Sequence, residues 1–363
     1  MNLQNNTSLS KKIRKKIALF FGGCSSEYEV SLQSAYAILT SIDSAQYEVF
    51  PIGIAKDGRW FFFQGDFQRL LTDTWLDSSC CLPCFPSPDR TLHGLVYGAE
   101  YPLHSISLDA AFPVLHGKNG EDGTIQGVLE LANIPIIGCG TLSSALCMDK
   151  AMAHQVASAA HVRVPDSVLV DSSWEEKELQ AAATRLGYPL FVKPVRSGSS
   201  FGITKVYAKD RLISAVKYAL NQDSQVLLEE AIDGFEVGCA VLGDNELTVG
   251  SVDEIELSEG FFDYTEKYSL ATAKIHVPAR IPDSQAHMIQ ETATKLYRAF
   301  GCRVFARIDF FLTPNGDLVF NEVNTIPGFT AHSRYPRMME AAGIPFPKLI
   351  ETILNMRLGH ENH

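Results

Sequence analysis

A doubly wound, parallel-sheet α/β domain followed by two α+β regions is the fold this 363-residue sequence predicts. Three observations carry that expectation. The chain opens with strand, glycine turn, helix and strand, the βαβ order that makes neighbouring strands parallel. Its middle holds short β-rich runs around a helical segment. Its C-terminal third contains two apolar runs joined by "PNGD", a turn signal that makes them an antiparallel hairpin. The length exceeds one ordinary core, and the pattern divides at 1–140, 141–232 and 233–363.

In order along the chain, "KIALFFGG" reads as a strand. "EVSLQSAYAILTSI" repeats apolar residues at three and four and reads as a helix. "YEVFPIGIAK" is the second strand. The segment 57–105 is rich in turns and aromatics and reads as irregular or short-stranded. "LDAAFPVLHG" returns as a strand, "GTIQGVLELAN" as a helix and "IPIIGCG" as a further strand, closing the first domain. One helical stretch, "TLSSALCMDKAMAHQVASAA", leads onward. "RVPDSVLV", "YPLFVKP", "GITKVY" and "QVLLEEA" then read as strands around a single helix, "LISAVKYAL". Beyond them "FEVGCAVLG", "LTVGSVDEIEL", "RVFARIDFFLT" and "LVFNEVN" read as strands. "DSQAHMIQETATKLYRAFG" and "PFPKLIETILNMR" read as helices, and "TIPGFTAHSRYP" as a polar loop.

Hydrophobic residues make up 46% and charged residues 20%, the balance of a soluble globular protein. A net charge of −11 argues against nucleic acid as a partner. No apolar run is long enough to span a membrane. The basic start "SLSKKIRKK" precedes only Ile17 to Phe21, too short for a secretory core, so it reads as a solvated lead-in to the first strand. Eight scattered cysteines fit reduced thiols and a cytoplasmic protein. The cluster Cys80, Cys81 and Cys84 has no second Cys pair to complete a zinc site.

Chemistry concentrates in two places. In the hairpin, alternation puts Arg307 and Asp309 on one face of one strand, and Glu322 and Asn324 on one face of the other. Pairing brings two carboxylates, an amide oxygen and a guanidinium to one surface, a hard-oxygen set suited to Mg²⁺ beside phosphates, with an arginine to meet developing negative charge. The second place is "YPLFVKPVRSGSSFG". Lys193 lies on a strand before the glycine-serine loop of Gly198, Ser199, Ser200 and Gly202. A Walker A loop has its lysine after the glycines, so this is another kind of phosphate site. In "TIPGFTAHSRYP", the Gly328 amide and the Ser333 hydroxyl could hold a carboxylate or an oxyanion, or form a plain surface turn.

A strand lysine, a serine-glycine lid and a distal carboxylate hairpin together resemble the ATP-grasp architecture. The resemblance extends to D-alanine–D-alanine ligases. "FFGGCSSEYEVS", "LHGKNGEDGTIQG", "CMDK", "VKPVRSGSSFG", "FDYTEKY", "ARIDFF" and "NEVNTIPGFTAHSRYP" occur in that family's order and cover nearly the whole chain. It implies ATP-dependent joining of two D-amino acids through a D-alanyl phosphate, giving D-Ala–D-Ala for peptidoglycan precursors, with D-Ala–D-Ser formation, or another ATP-grasp carboxylate–amine ligation, as the alternatives. It implies ATP, two Mg²⁺ (or Mn²⁺) ions and a homodimer.

Carried across, the resemblance gives Glu27 the ammonium of the first D-alanine, in a triad with Ser199 and Tyr268. It sets His116 near the first substrate, Lys150 and Lys193 on the ATP phosphates, and Lys267 on the γ-phosphate. Ser199 and Ser200 belong to the nucleotide loop; Glu229, Glu230, Ile232 and Glu236 take the adenine and ribose. Arg307 and Gly328 stabilise the oxyanion; Asp309, Glu322 and Asn324 hold metal; Ser333 and Arg334 face the second substrate. Single residues also have plain readings: Glu27 as a helix-start carboxylate, His116 as a satisfied strand-end histidine, Lys150 as a surface lysine and Tyr268 as a packed aromatic. For the second substrate, Tyr264 and the Lys267–Tyr268 pair match D-alanine users, whereas Arg334 looks like the vancomycin-resistance branch, including its D-serine users.

Overall fold

A computed structural model describes residues 14–199, 201–257 and 273–359. The first strand, β1 (Lys15–Gly22), is buried on both faces, which explains its unbroken apolar run. Ile17, Leu19 and Phe21 pack with Leu32, Ala35 and Ile38 of α1 (Tyr28–Ser41). Ala18 and Phe20 face the other way, against Ile125 and Leu129 of α3 (Thr124–Leu131). β1 pairs in parallel with β2 (Tyr47–Ile54) and with β7 (Ala110–Pro113). Helices on both faces of parallel strands are the doubly wound arrangement that the sequence predicts.

Two details differ. The segment 57–105 contributes β3 (Trp60–Phe63), β4 (Cys81–Pro86), β5 (Gly94–Tyr97) and β6 (His104–Ser107), with the short α2 (Gln68–Leu71) between the first two. These strands extend the sheet in the order β6-β5-β4-β3-β2-β1-β7, and each pairs antiparallel to its neighbour. The expected strand "IPIIGCG" shrinks to one parallel bridge, Ala111 to Ile136. Pro135 there accepts a bond from the Ala111 amide but has no N–H of its own to give. Cys81 and Cys84 are buried in β4, and the Arg69 guanidinium donates to the Cys80 thiol at 3.1 Å.

The middle sheet is antiparallel throughout, in the order β10-β9-β11-β8, built from β8 (Ser167–Asp171), β9 (Leu190–Pro194), β10 (Thr204–Val206) and β11 (Gln225–Glu230). Two helices cover it, not one: α6 (Glu176–Leu186), opened by a Glu175–Glu178 capping box, and α7 (Leu212–Leu220). Leu190, Val192, Val226 and Leu228 face those helices. Alternation therefore turns Lys193 and Glu229 to the opposite face, where register sets them diagonally across β9 and β11.

The predicted single helix after residue 140 is two, α4 (Thr141–Met148) and α5 (Lys150–Ala159). The break falls at Asp149, which leaves helical geometry and caps α5 by accepting from the Met152 amide at 3.0 Å. Cys147, Ala153 and Ala157 pack into the core of the C-terminal sheet, so α4 and α5 pack with that sheet and not with the middle one.

That sheet runs β14-β13-β12-β15-β16 and is formed by β12 (Phe235–Gly243), β13 (Leu247–Leu257), β14 (Ala273–His276), β15 (Val304–Leu312) and β16 (Leu318–Asn324). One face packs on α4, α5 and α8 (Asp283–Ala299). From the other, Phe305 reaches Phe329 and Tyr335 and joins Phe112 of the N-terminal sheet in one core. The loop expected at "HSRYP" is instead the start of α9 (Arg334–Ala341), followed by α10 (Phe346–Leu358). No described helix is long and apolar enough to cross a membrane.

Candidate active site

The hairpin register is the one alternation demands. Arg307 lies opposite Asn324 and Asp309 opposite Glu322, with a bulge just after Asp309. Arg307 grips Asp309 with Nε to Oδ1 at 2.9 Å and Nη2 to Oδ2 at 2.7 Å. The Asn324 amide donates to the same carboxylate at 2.9 Å. Asp309 is completely buried, whereas Arg307, Glu322 and Asn324 line a cleft of about 510 Å³.

The far wall of the cleft comes from the N-terminal domain. Glu27 immediately precedes α1, yet its side chain makes no cap bond; its carboxylate accepts from the Ser199 hydroxyl. Two glycines make this approach possible. A Cβ on Gly117 would stand 2.5 Å from Glu27 Oε2, and one on Gly198 would stand 2.8 Å from it. Gly117 also has φ near +70°, which favours glycine.

His116 is buried and satisfied, and it also lines the cleft. Its Nδ1 lies 2.8 Å from the Ile326 carbonyl, and its Nε2 lies 3.3 Å from the Ser34 hydroxyl. Burial lowers its pKa below the ordinary histidine value. A carbonyl only accepts, so the neutral ring donates from Nδ1. The ring ties the end of β7 to the loop carrying Gly328. In that loop Ser333, also on the cleft wall, has its hydroxyl 2.8 Å from that of Thr330.

Glu121 escaped the sequence reading, although its motif was in view. It accepts from the Gly117 amide at 2.7 Å and the Ile326 amide at 3.2 Å. Burial, with the Glu27 charge next, raises its pKa to about 8. Raised above its unfolded value, it keeps a proton at neutral pH that the unfolded chain has released. Its contribution to stability is therefore full at low pH and is lost as pH rises toward about 8. Glu121→Gln is expected to flatten the fall in melting temperature between about pH 5 and pH 9; an unchanged slope would assign that fall to other groups.

Lys150 opens α5 and donates to the Ser197 carbonyl at 2.7 Å, binding helix to glycine-serine loop at the edge of the cleft. Lys193 is not a wall of this cleft. It is buried and ion-paired with Glu229. The Glu230 carboxylate holds the Asp166 amide at 2.9 Å, and Ile232 is half-buried. Ser200, Tyr264, Lys267 and Tyr268 lie outside the described residues.

Arg334 differs most from expectation. Its guanidinium reaches the cleft wall but is buried, and it is held by Asp253 at 2.7 and 2.8 Å and by Glu236 at 2.7 Å. Asp309 Oδ1 is 3.3 Å away. Burial works against the charge, but Asp253 and Asp309 keep its pKa well above the ordinary arginine value. Glu236, expected at a ribose, is thus engaged with Arg334 here. The cluster forms over Gly238, which stands directly between Asp253 and Asp309 in the sheet register. A Cβ there would lie 2.4 Å from Arg334 Nη2. A glycine inside a central strand was the signal that could have located Asp253.

Known proteins resemble this chain along nearly its whole length. The family described as D-ala D-ala ligase N-terminus matches residues 16–139, and the D-ala D-ala ligase C-terminus matches residues 157–355. The crystal structure of the VanG D-Ala:D-Ser ligase from Enterococcus faecalis superposes with a TM-score of 0.89 at 52% identity, covering 95% of this chain and 100% of that one. The vancomycin B-type resistance protein VanB of Enterococcus faecalis is 46% identical over 94% of this chain and 98% of its own. A D-alanine–D-alanine ligase of Caldicellulosiruptor bescii is 42% identical over 94% of this chain and 95% of its own.

Proposed function

The chain belongs to the D-alanine–D-alanine ligase family, and from that premise we propose that it joins D-alanine to a second D-alanine, driven by ATP, through a D-alanyl phosphate. The observation that carries this reading is the convergence in one cleft of Glu27 and Ser199 from one side and Arg307, Glu322 and Asn324 from the other. A carboxylate is a poor electrophile until phosphorylated, and such a transfer needs positioned cations more than covalent help. Glu27, fixed by Ser199 and crowded by two glycines, would bind the ammonium of the first D-alanine. Lys150 and Lys193 would take phosphates, with Lys267 on the γ-phosphate and Ser200 in the nucleotide loop. Glu229, Glu230, Ile232 and Glu236 would take the adenosine. The spare N–H groups of Arg307 and the amide of Gly328 would stabilise the tetrahedral oxyanion.

The donor set fits a divalent cation. Register aligns the carboxylates of Asp309 and Glu322 across the hairpin, and the Asn324 amide donates to Asp309, which leaves its carbonyl oxygen for a metal. These three residues would hold Mg²⁺ or Mn²⁺, two ions once the phosphates add their oxygens; bound there, the metal would neutralise oxygens of the transferring phosphoryl group. A homodimer is the assembly this reading expects, checked by light scattering.

A second reading, D-serine as acceptor, is favoured by Arg334, which Asp253 and Glu236 hold rigidly at the cleft wall. One such polar contact is worth only about 1–3 kcal/mol of selectivity. The test supplies ATP and Mg²⁺ with D-alanine alone, then with equimolar D-serine or D-lactate, and identifies products by mass. D-Ala–D-Ala is expected to predominate, with no ester from D-lactate. A majority of D-Ala–D-Ser would establish the second reading, and no phosphate release with D-alanine would sink both.

A further inference from the structure

His154 belongs to none of the roles assigned above, yet it sits where the nucleotide lysine is stored. It lies on α5, is 6% exposed, and packs edge-on against Phe320. Its Nε2 is 3.7 Å from Glu229 Oε2, while Glu229 Oε1 carries the ion pair with Lys193. Both the second carboxylate oxygen and His154 Nδ1 are buried without a hydrogen-bond partner among the described residues. Buried polar atoms are rarely left so, because an unmade bond leaves the desolvation of the group uncompensated. The charged groups facing the ring are Glu229 on β11, Lys193 on β9 and Lys150 on α5 itself. Burial, the largest influence, lowers the pKa of His154 and keeps it neutral while Lys193 balances Glu229.

The arrangement poses a charge problem. Lys193 is paired away from the main cleft, so reaching a phosphate means loosening its hold on Glu229. Glu229 has a side chain 2% exposed, and a carboxylate so buried needs a replacement partner. Among the described residues His154, the neutral base beside its unused oxygen, is the side chain placed to take it, whichever edge of Glu229 the adenosine meets. We propose that His154 is a positioning residue that receives Glu229 when Lys193 turns to the nucleotide, taking up a proton from solvent as it does so. The proton adds to the ring, and the resulting imidazolium donates to Glu229 Oε2. No bond to the nucleotide is made or broken. Nucleotide affinity thereby becomes linked to pH.

This inference rests on the reading of Lys193 as a phosphate lysine, and the experiment separates the two. MgADP is titrated into the whole protein by calorimetry at about pH 8, in buffers of differing ionisation enthalpy. The expected result is an observed enthalpy that varies with the buffer, with a slope approaching about one proton taken up per nucleotide. His154→Gln is expected to keep the fold and to bind MgADP about tenfold more weakly, with the buffer dependence gone. His154→Phe should behave alike, which makes the outcome independent of either variant's stability. Tight binding with no buffer dependence in the wild type would overturn the handover and leave the ligase reading standing. Equal proton uptake in wild type and both variants would overturn it too, because another group would then be titrating. No binding of MgADP at all would remove the nucleotide reading, and the inference with it.

Discussion

Replacing Glu322 by glutamine is expected to leave the protein folded and to lower turnover by about 10²–10³-fold at saturating substrates, the scale of losing one preorganised electrostatic group. The side chain is half-buried on the cleft wall, so the amide can take its place without opening a cavity. What disappears is the negative charge directly across the hairpin from Asp309. Asp309 alone does not replace that charge, because its own negative charge is shared with Arg307 and Arg334. Phosphate release with D-alanine gives the rate, and thermal melting checks the fold. Undiminished release at saturating Mg²⁺ would remove Glu322 from the metal site.

Arg334→Met is expected to destabilise the protein by about 3–5 kcal/mol, the range for removing one partner from a buried ion pair. Asp253 is wholly buried, and among the described residues its hydrogen bonds from a side chain come from Arg334 alone. Glu236 loses its contact at 2.7 Å, and Asp309 keeps Arg307. Denaturant unfolding measures the loss. The double variant Arg334→Met with Asp253→Asn should recover part of it, because the stranded charge is then gone. Gly238→Ala should act in the same direction by pushing a methyl group into the guanidinium. A single variant as stable as the wild type would show that Asp253 is not held by this arginine. The consequence for selectivity is direct: a product ratio measured on Arg334→Met reads a disturbed sheet as well as a changed acceptor pocket.

The site was legible wherever its logic was local. Arg307, Asp309, Glu322 and Asn324 follow from strand alternation and one turn signal, and the structure gives them the expected register. Glu121 stood in a motif that was read for other reasons, and its two backbone donors come from residues 117 and 326, which no local pattern connects. His154 falls in a helical stretch whose pattern does not single it out. Only Glu229, from a strand far along the chain, makes it distinctive.

By itself, then, the sequence determined the parallel β1–β2 start, the terminal hairpin and the family, because periodicity and motif order are properties of short stretches of chain. Tertiary structure decided that "IPIIGCG" keeps only one bridge, that α4 and α5 serve the C-terminal core, that Lys193 rests on Glu229, and that Arg334 turns inward to three carboxylates. Each of those depends on which distant strand or helix supplies the neighbour. A buried charge settles where its counter-charges are, and that address is written in the register between strands.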